Sequence, residues 1–398
     1  MGIFTPFSEE ELIPQEERIE VLKKRGKISV GIPRENQTEE NRICLTPDAV
    51  SVLTSNGIEI TLESGAGLGA HFTDNQYSEA GARISQNTKE VFSQPFILKV
   101  EPPKLEQIEW MQPNAYLISA VQINTQNKEY FEKLSAKKIT ALGFEYIRDR
   151  HNVLSISRLI GEIAGACAIL TAAELLSSIH GGNGLLLGGI TGVRPTNVVI
   201  IGAGTVGENA ARSALGLGAT VKIFDNSLTR LHRMQELLGQ KVFTSTLDPK
   251  ELTKALIRCD AAIGCLRGQM RSPIIVTEAM VGRMKPGAVI IDVSIDNGGV
   301  FETSEVTSYQ NLTFMKHNVI HCCIPNITSK VARTASKALS NFFLSYLLNV
   351  IDEGGFEASF ERNQGIRSGI YIYKGRITNR QIAQWFKLSY QDINLLII

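Results

Sequence analysis

The chain has 398 residues, a length that suits two hydrophobic cores rather than one. Its 41 basic and 40 acidic side chains nearly cancel, and no long basic stretch points to nucleic acid or to an acidic membrane surface. The most apolar stretches read as too short for a membrane segment: Glu174 interrupts the one after Gly165, and the run 342–351 makes only about two and a half turns.

The N-terminus has acidic residues, Glu9, Glu10 and Glu11, where a secretory signal would need an apolar core, so a cytoplasmic location is expected. Residues up to Lys27 read as a charged helical extension. Glu16, Glu17 and Glu20 precede Lys23, Lys24 and Arg25, an order that suits the helix dipole and a role in packing or subunit contact. From Ile28 onward, strand-like runs at 28–32, 58–62, 96–100, 115–120 and 139–144 alternate with helix-like segments such as 47–55 and 128–136. This alternation predicts a parallel α/β domain. Thr46 before Pro47 reads as an N-cap with proline at the first helical position. Gly65-Ala-Gly-Leu-Gly69 follows a strand but lacks the glycine-to-helix pattern of a nucleotide loop. It reads as a loop leading to a cap at Thr73, with His71 structural.

Residues 157–179 read as a long buried helix linking two domains, stopped by His180-Gly-Gly-Asn-Gly184. The apolar run 198–201 then enters Gly202, Gly204 and Gly207 with G-x-G-x-x-G spacing. Gly202 permits the tight turn, Gly204 the approach of a pyrophosphate, and Gly207 close packing of the next helix. That helix, with Thr205 and Val206 in its first turn, aims its free amides and its dipole at phosphate. A second strand, 220–224, ends in Asp225, placed to accept hydrogen bonds from the adenosine ribose and to repel a 2′-phosphate. The expected cofactor is therefore NAD, and Arg230 joins the candidate cofactor residues. Short apolar runs at 241–243, 260–264, 288–293 and 319–324 complete a six-stranded doubly wound sheet. Residues 329–352 read as a second long helix ended by Gly354-Gly355, returning the chain to the first domain. The tail from Phe356 carries no recognisable motif. The six cysteines show no C-x-x-C spacing and read as small buried hydrophobes in a reducing compartment, not as metal ligands.

The block from Gly184 to Gly207, the block Gly31-Ile-Pro-Arg-Glu-Asn36, Asn41-Arg-Ile-Cys-Leu-Thr-Pro47, Asp292-Val-Ser-Ile-Asp-Asn-Gly-Gly299 and Cys323-Ile-Pro-Asn326 together resemble the alanine dehydrogenase / pyridine nucleotide transhydrogenase alpha-subunit family. The resemblance implies two doubly wound α/β domains: a Rossmann NAD domain, 157–324, inserted into a discontinuous substrate domain, 1–156 with 325–398. It implies reversible oxidative deamination of L-alanine, or a related small amino acid, to a keto acid and ammonia, in a homo-oligomer (dimer or hexamer). It also implies that Arg42 grips the substrate carboxylate, that Asp296 stands beside the nicotinamide to activate water or stabilise an iminium, and that Asn326 lies near the cofactor. Two positions depart from the family. Its substrate-binding lysine falls on Glu101 and its catalytic histidine on Gln122, a residue that cannot shuttle protons. Lys99, two residues from Glu101 and on the same strand face, either pairs with Glu101 or supplies the missing cation. The rival readings are an NAD(H)-binding component like the transhydrogenase alpha subunit, and a catalytically silent NAD-binding paralogue.

Overall fold

The structure, a computed structural model, describes residues 28–36, 39–149, 151–268 and 271–397; the expected N-terminal helix lies outside them. Strands β1 (Ser29–Ile32), β2 (Glu59–Glu63), β3 (Arg83–Ser85), β4 (Phe96–Leu98), β5 (Tyr116–Ser119) and β6 (Thr140–Gly143) come first. Strands β7 (Asn197–Ile201), β8 (Thr220–Phe224), β9 (Phe243–Ser245), β10 (Ala261–Gly264), β11 (Val289–Asp292), β12 (Phe314–Lys316) and β13 (Val319–Cys322) follow. The tail supplies β14 (Ile370–Tyr373) and β15 (Arg376–Ile377).

They form two sheets. The first runs β15-β14-β6-β5-β4-β1-β2-β3, parallel from β6 to β3, with β14 and β15 antiparallel at one edge. The second runs β12-β13-β11-β10-β7-β8-β9. Its six parallel strands take the doubly wound order expected of a dinucleotide domain, and β12 adds an antiparallel edge. Because the second sheet lies in sequence between β6 and β14, one α/β unit is inserted into the other, as the sequence predicts. The central strands of both sheets are apolar and buried on both faces, as parallel strands covered by helices must be.

The sequence places most elements to within a few residues and misses three strands of the first sheet. β3 is three residues long, and β14 with β15 lies in a tail whose aromatics hide any strand period. Thr73 caps its helix as expected, closing a capping box with Gln76. Thr46 does not. Its backbone has the capping conformation, but its hydroxyl pairs with Ser340 at 3.1 Å instead of the helix amides.

Two long helices join the units. Ser155–Leu175 packs against Thr205–Gly216, where Gly165 lets the backbones meet; a Cβ there would lie 2.4 Å from the Val206 carbonyl. At 21 residues this helix is long and apolar enough to span a bilayer, contrary to the expectation that it falls short. Half of its most apolar window is buried inside the fold, in the core shared with β7, β10 and β11. The second, Ala332–Glu353, follows a short 3-10 turn, Ile327–Val331. Ser329, Ser336 and Ser340 of this region accept the amides of Asn41, Ile43 and Thr46 at 2.7, 2.9 and 3.0 Å. A loop early in the chain is thus stitched to a helix almost three hundred residues later, and Arg42 sits within the stitched stretch.

Candidate active site

Open α/β sheets bind ligands beyond the carboxyl ends of their strands. Every sequence-predicted site residue lies beyond such an end or beside one. On the nucleotide side, β7 ends at Ile201 and the chain turns at Gly202 with φ of 120°, a conformation that strains any other residue. A Cβ at Gly207 would lie 1.9 Å from the Gly202 carbonyl, so only glycine lets the helix start this close. Gly204 has nothing within 4 Å of its missing side chain, which leaves the approach to the helix amides open. Thr205 begins the helix, and Val206 turns its side chain toward Gly161 of the long helix. Val206 therefore offers a ligand its backbone and not its side chain.

Asp225, buried, follows β8. Its Oδ2 accepts the Ala203 amide at 2.7 Å and its Oδ1 the Ser227 amide at 2.8 Å, so it holds the glycine loop in shape. Each oxygen retains a lone pair for a ribose hydroxyl. Asp225, Ser227, Arg230, Leu247, Leu266 and Pro273 line a cavity of about 360 Å³. Arg230 stands at its mouth, exposed, with Nη1 3.8 Å from Asp225 Oδ2. The open glycine approach and the acid-lined cavity fit the pyrophosphate and adenosine ends of NAD(H).

On the substrate side the charges are already coupled. Arg42 is buried, and Glu40 accepts from its Nε at 2.8 Å and its Nη2 at 2.5 Å; Nη1 donates to Thr328 at 3.0 Å. Three of the five guanidinium donors are thus spent and two remain. Burial opposes the Arg42 charge, and Glu40 more than restores it, holding the guanidinium protonated. Lys99, just past β4, is buried against the Glu35 carboxylate, which also accepts the Val100 amide at 2.7 Å. The partner of Lys99 is therefore Glu35, not Glu101. Burial raises the Glu35 carboxyl and Lys99 pulls it back.

Glu101 is half-buried. Burial, then Glu35 and Glu40, push its carboxyl up to about 7. Gln122, after β5, has a left-handed backbone at φ of 48°. Glu145, after β6, accepts the Val121 and Gln122 amides with Oε1 at 2.7 and 3.3 Å, which fixes that turn. Its Oε2 is buried without a hydrogen-bond partner among the described residues.

Asp296 lies on a turn beyond β11. Asp292, at the end of that strand, holds the turn by accepting the amides of Ser294 and Val300 and the Ser304 hydroxyl. The Asp296 side chain is reached by solvent yet walled by protein. This enclosure pushes its carboxyl up to about 6, against the pull of Arg42, the Asn326 amide and Arg267. Across the gap between the sheets, Asn124 Nδ2 donates to the Asp296 carbonyl at 2.9 Å. Asn326, left-handed at φ of 57°, follows β13 and receives Tyr309 at its carbonyl.

The structure thus brings Arg42, Lys99, Glu101, Gln122 and Asp296 to one gap, beside the glycine edge. Glu35, Glu40, Asn124, Glu145, Asp292 and Arg267 join the site without having been singled out by sequence. Glu35 and Asp292 lie inside the resembling blocks, and Glu40 stands two residues before Arg42, so for these three a signal was present.

A doubly wound unit with an open glycine turn, set against a charged gap on a second α/β unit, defines a dinucleotide-dependent oxidoreductase class. The chain belongs to the alanine dehydrogenase/PNT family. The description "Alanine dehydrogenase/PNT, N-terminal domain" matches residues 31–164 and "Alanine dehydrogenase/PNT, C-terminal domain" residues 168–380. Alanine dehydrogenase 2 of Staphylococcus aureus (strain USA300) is 35% identical over 368 residues, 92% of this chain and 98% of the relative. A solved L-alanine dehydrogenase superposes with TM-score 0.84 at 32% identity, over 90% of this chain and 99% of that one. A transhydrogenase from Sinorhizobium meliloti shares the fold, with TM-score 0.75 at 22% identity over 89% and 99% of the two chains.

Proposed function

We propose that the chain is an NAD-dependent amino-acid dehydrogenase of the alanine dehydrogenase type, acting on L-alanine or a related small amino acid. The observation that carries this reading is Asp296: a carboxylate held between the glycine edge and the substrate sheet, with a pKa of about 6. Ionised near neutral pH, it takes a proton from the water that attacks the imine carbon, and it returns that proton in the reverse direction. The dinucleotide, when bound, accepts the hydride from the amino acid α-carbon. Gly202, Gly204, Gly207, Thr205, Val206, Asp225 and Arg230 hold its phosphate and adenosine end, and Asn326 stands beside Asp296 near its reactive end. Arg42 offers its two remaining donors to the substrate. Gln122, with no titrating proton, hydrogen-bonds but does not relay. The acid–base work therefore falls to carboxyls, Asp296 first and Glu101 beside Lys99 second, and modest turnover of alanine is expected. The catalytically silent rival is favoured by that same Gln122.

Several further assignments belong to this reading. The substrate domain comprises 1–156 with 325–398 and the NAD domain 157–324; the sequence positions of the two sheets and the two long helices at the junctions support this division. Homo-oligomerisation, as a dimer or hexamer, is supported by Ile179, Leu186, Ile190 and Val193. These large apolar side chains are all exposed on one segment beside the long helix. Cytoplasmic placement is supported by six free cysteines, five of them buried. A panel of amino and keto acids, followed by NADH absorbance, tests the function. Turnover of alanine or another small neutral amino acid is expected, and its loss in Asp296→Asn. NADH binding with no turnover of any substrate sinks the enzymatic reading and leaves the silent one.

A further inference from the structure

An inner strand of a doubly wound sheet is covered on both faces, so its residues are normally apolar. β8 breaks that rule at Lys222, which interrupts the buried run of Val221, Ile223 and Phe224. The register sets Lys222 beside Val199 of β7 and Phe243 of β9. Its ammonium stands 5.2 Å from the centre of the Phe243 ring. Lys222 opens onto a cavity of about 490 Å³, walled by the sheet and by the last turn of the helix Pro249–Arg258. That volume is typical of small-molecule sites. Asn197, the first residue of β7, also lines it, whereas the Gly202 turn follows the other end of that strand, about 15 Å away. The cavity is therefore separate from the one at Asp225 that fits the dinucleotide.

The charges around this cavity are unbalanced. Arg194, Arg258 and Lys285 line it together with Lys222, and no carboxylate is among the lining residues. Lys285 is matched: its Nζ meets Asp260 Oδ1 at 2.5 Å. Oδ2 of the same carboxylate accepts the Asn197 amide at 2.8 Å, so Asp260 is spent on holding Lys285 and the start of β7. Arg194, Lys222 and Arg258 have no carboxylate partner among the described residues. The chain as a whole carries 41 basic and 40 acidic side chains, so three unmatched cations about one hollow are a local arrangement and not a general excess. Like charges gathered in one place repel, and a bound anion offsets that repulsion.

We propose that this cavity binds a compact phosphorylated ligand carrying at least two negative charges, at a site distinct from that of the dinucleotide. The cations reach it from separate elements: Arg194 from the loop before β7, Lys222 from a strand, Arg258 from a helix end and Lys285 from the loop before β11. A phosphoryl group presents oxygens in three directions and suits such an arrangement, whereas a carboxylate presents two in one plane. The arginine forks take phosphate oxygens in pairs, and the lysines add point charges. The cations gather in one hollow and not along a stripe, which favours a small ligand over a nucleic acid. The site belongs to the nucleotide unit alone and stands whether or not an amino acid is turned over.

The test titrates inorganic pyrophosphate by calorimetry into the full chain saturated with NADH, which fills the dinucleotide site. One saturable site per chain is expected, weakening as salt rises from about 0.05 to about 0.5 M. Lys222→Gln combined with Arg258→Gln should weaken pyrophosphate on the order of thirtyfold. Lys250→Gln, an exposed cation on the first turn of the same helix but outside the cavity, should change nothing measurable. NADH affinity should be the same in every variant, which reports that the nucleotide sheet is intact. If the double variant loses NADH as well, Arg194→Gln, on an exposed loop, carries the test and should weaken pyrophosphate several-fold. A native chain with no saturable site overturns the proposal, and so does pyrophosphate binding that these variants leave unchanged. Citrate bound as tightly as pyrophosphate overturns the phosphate assignment. An RNA oligonucleotide held more tightly than pyrophosphate through the same residues overturns the small ligand.

Discussion

The two sides of the gap are built in different ways. The nucleotide side is written in backbone: a turn at Gly202, a helix that begins where Gly207 touches the turn, and one carboxylate, Asp225, fixing the loop over a span of 22 residues. The substrate side is written in side-chain pairs drawn from far apart. Glu35 meets Lys99 across 64 residues, and Arg42 meets Thr328 across 286. A site made of backbone shape tolerates few substitutions at few positions. A site made of pairs tolerates change so long as both partners change together, which is how Glu101 and Gln122 sit in a cleft that is otherwise well formed.

This contrast is sharpest where a single atom is added. Gly207→Ala places a methyl group against the Gly202 carbonyl, so NADH binding should fall below detection by calorimetry while the circular dichroism of the first unit's helices persists. Retained micromolar binding would mean the loop relaxes and the backbone account is wrong. On the other side, Glu40→Ala leaves Arg42 buried and unpaired, which costs about 3–5 kcal/mol. Denaturant unfolding checks it, and replacing Arg42 by Met in the same chain should restore much of the loss. If the double variant is no better than the single one, the pair is not the unit of construction.

The two raised carboxyls, Asp296 and Glu101, supply gentler probes. Asp296 must be ionised to act as base, so kcat for deamination should rise with pH through about 6, and Asp296→Asn should erase that limb along with most activity. The protein walls around this solvent-reached carboxyl raise it above its ordinary value. The protonated form is therefore the better folded one, and stability should decline as pH climbs through the same range. A kcat that does not change between pH 5 and pH 7 would remove Asp296 from the chemistry. Glu101 titrates near 7. Below that it is neutral, and Glu101→Gln should change little. Above it the native carboxylate repels a keto acid, and the variant should lower KM severalfold. Equal KM values at pH 8.5 would place Glu101 away from the substrate. The smallest expected effect is at Asp225→Ala, which should narrow the preference for NADH over NADPH, with Arg230 left to meet a 2′-phosphate.

What the sequence discloses follows the same division. The glycine spacing, Asp225 and the six parallel strands are local patterns, each legible within about thirty residues, and the helix at Pro47–Ser55 and the cap at Thr73 are equally local. The strands β14 and β15 were not legible, because four buried residues, Ile370 to Tyr373, contain no alternation that separates strand from helix. Nor was Glu35 as the partner of Lys99: a strand face makes Glu101 the nearer neighbour in sequence, and only the adjacency of β1 and β4 brings Glu35 closer. Thr46 shows a local rule overruled. Its hydroxyl had two possible partners, and Ser340, far along the chain, took it from the helix amides.

The place of β14 carries a consequence for how the molecule is made. Its antiparallel partner is β6, so the first sheet lacks an edge until residues 370–377 have been synthesised. The inserted unit ends its last strand at Cys322 and contains all its own sheet partners. On the ribosome the inserted unit therefore finishes first, while the unit encoded before it waits, its Thr140–Gly143 edge uncovered, until residues 370–377 emerge. That waiting interval, not the finished fold, is where a chaperone has the most to do.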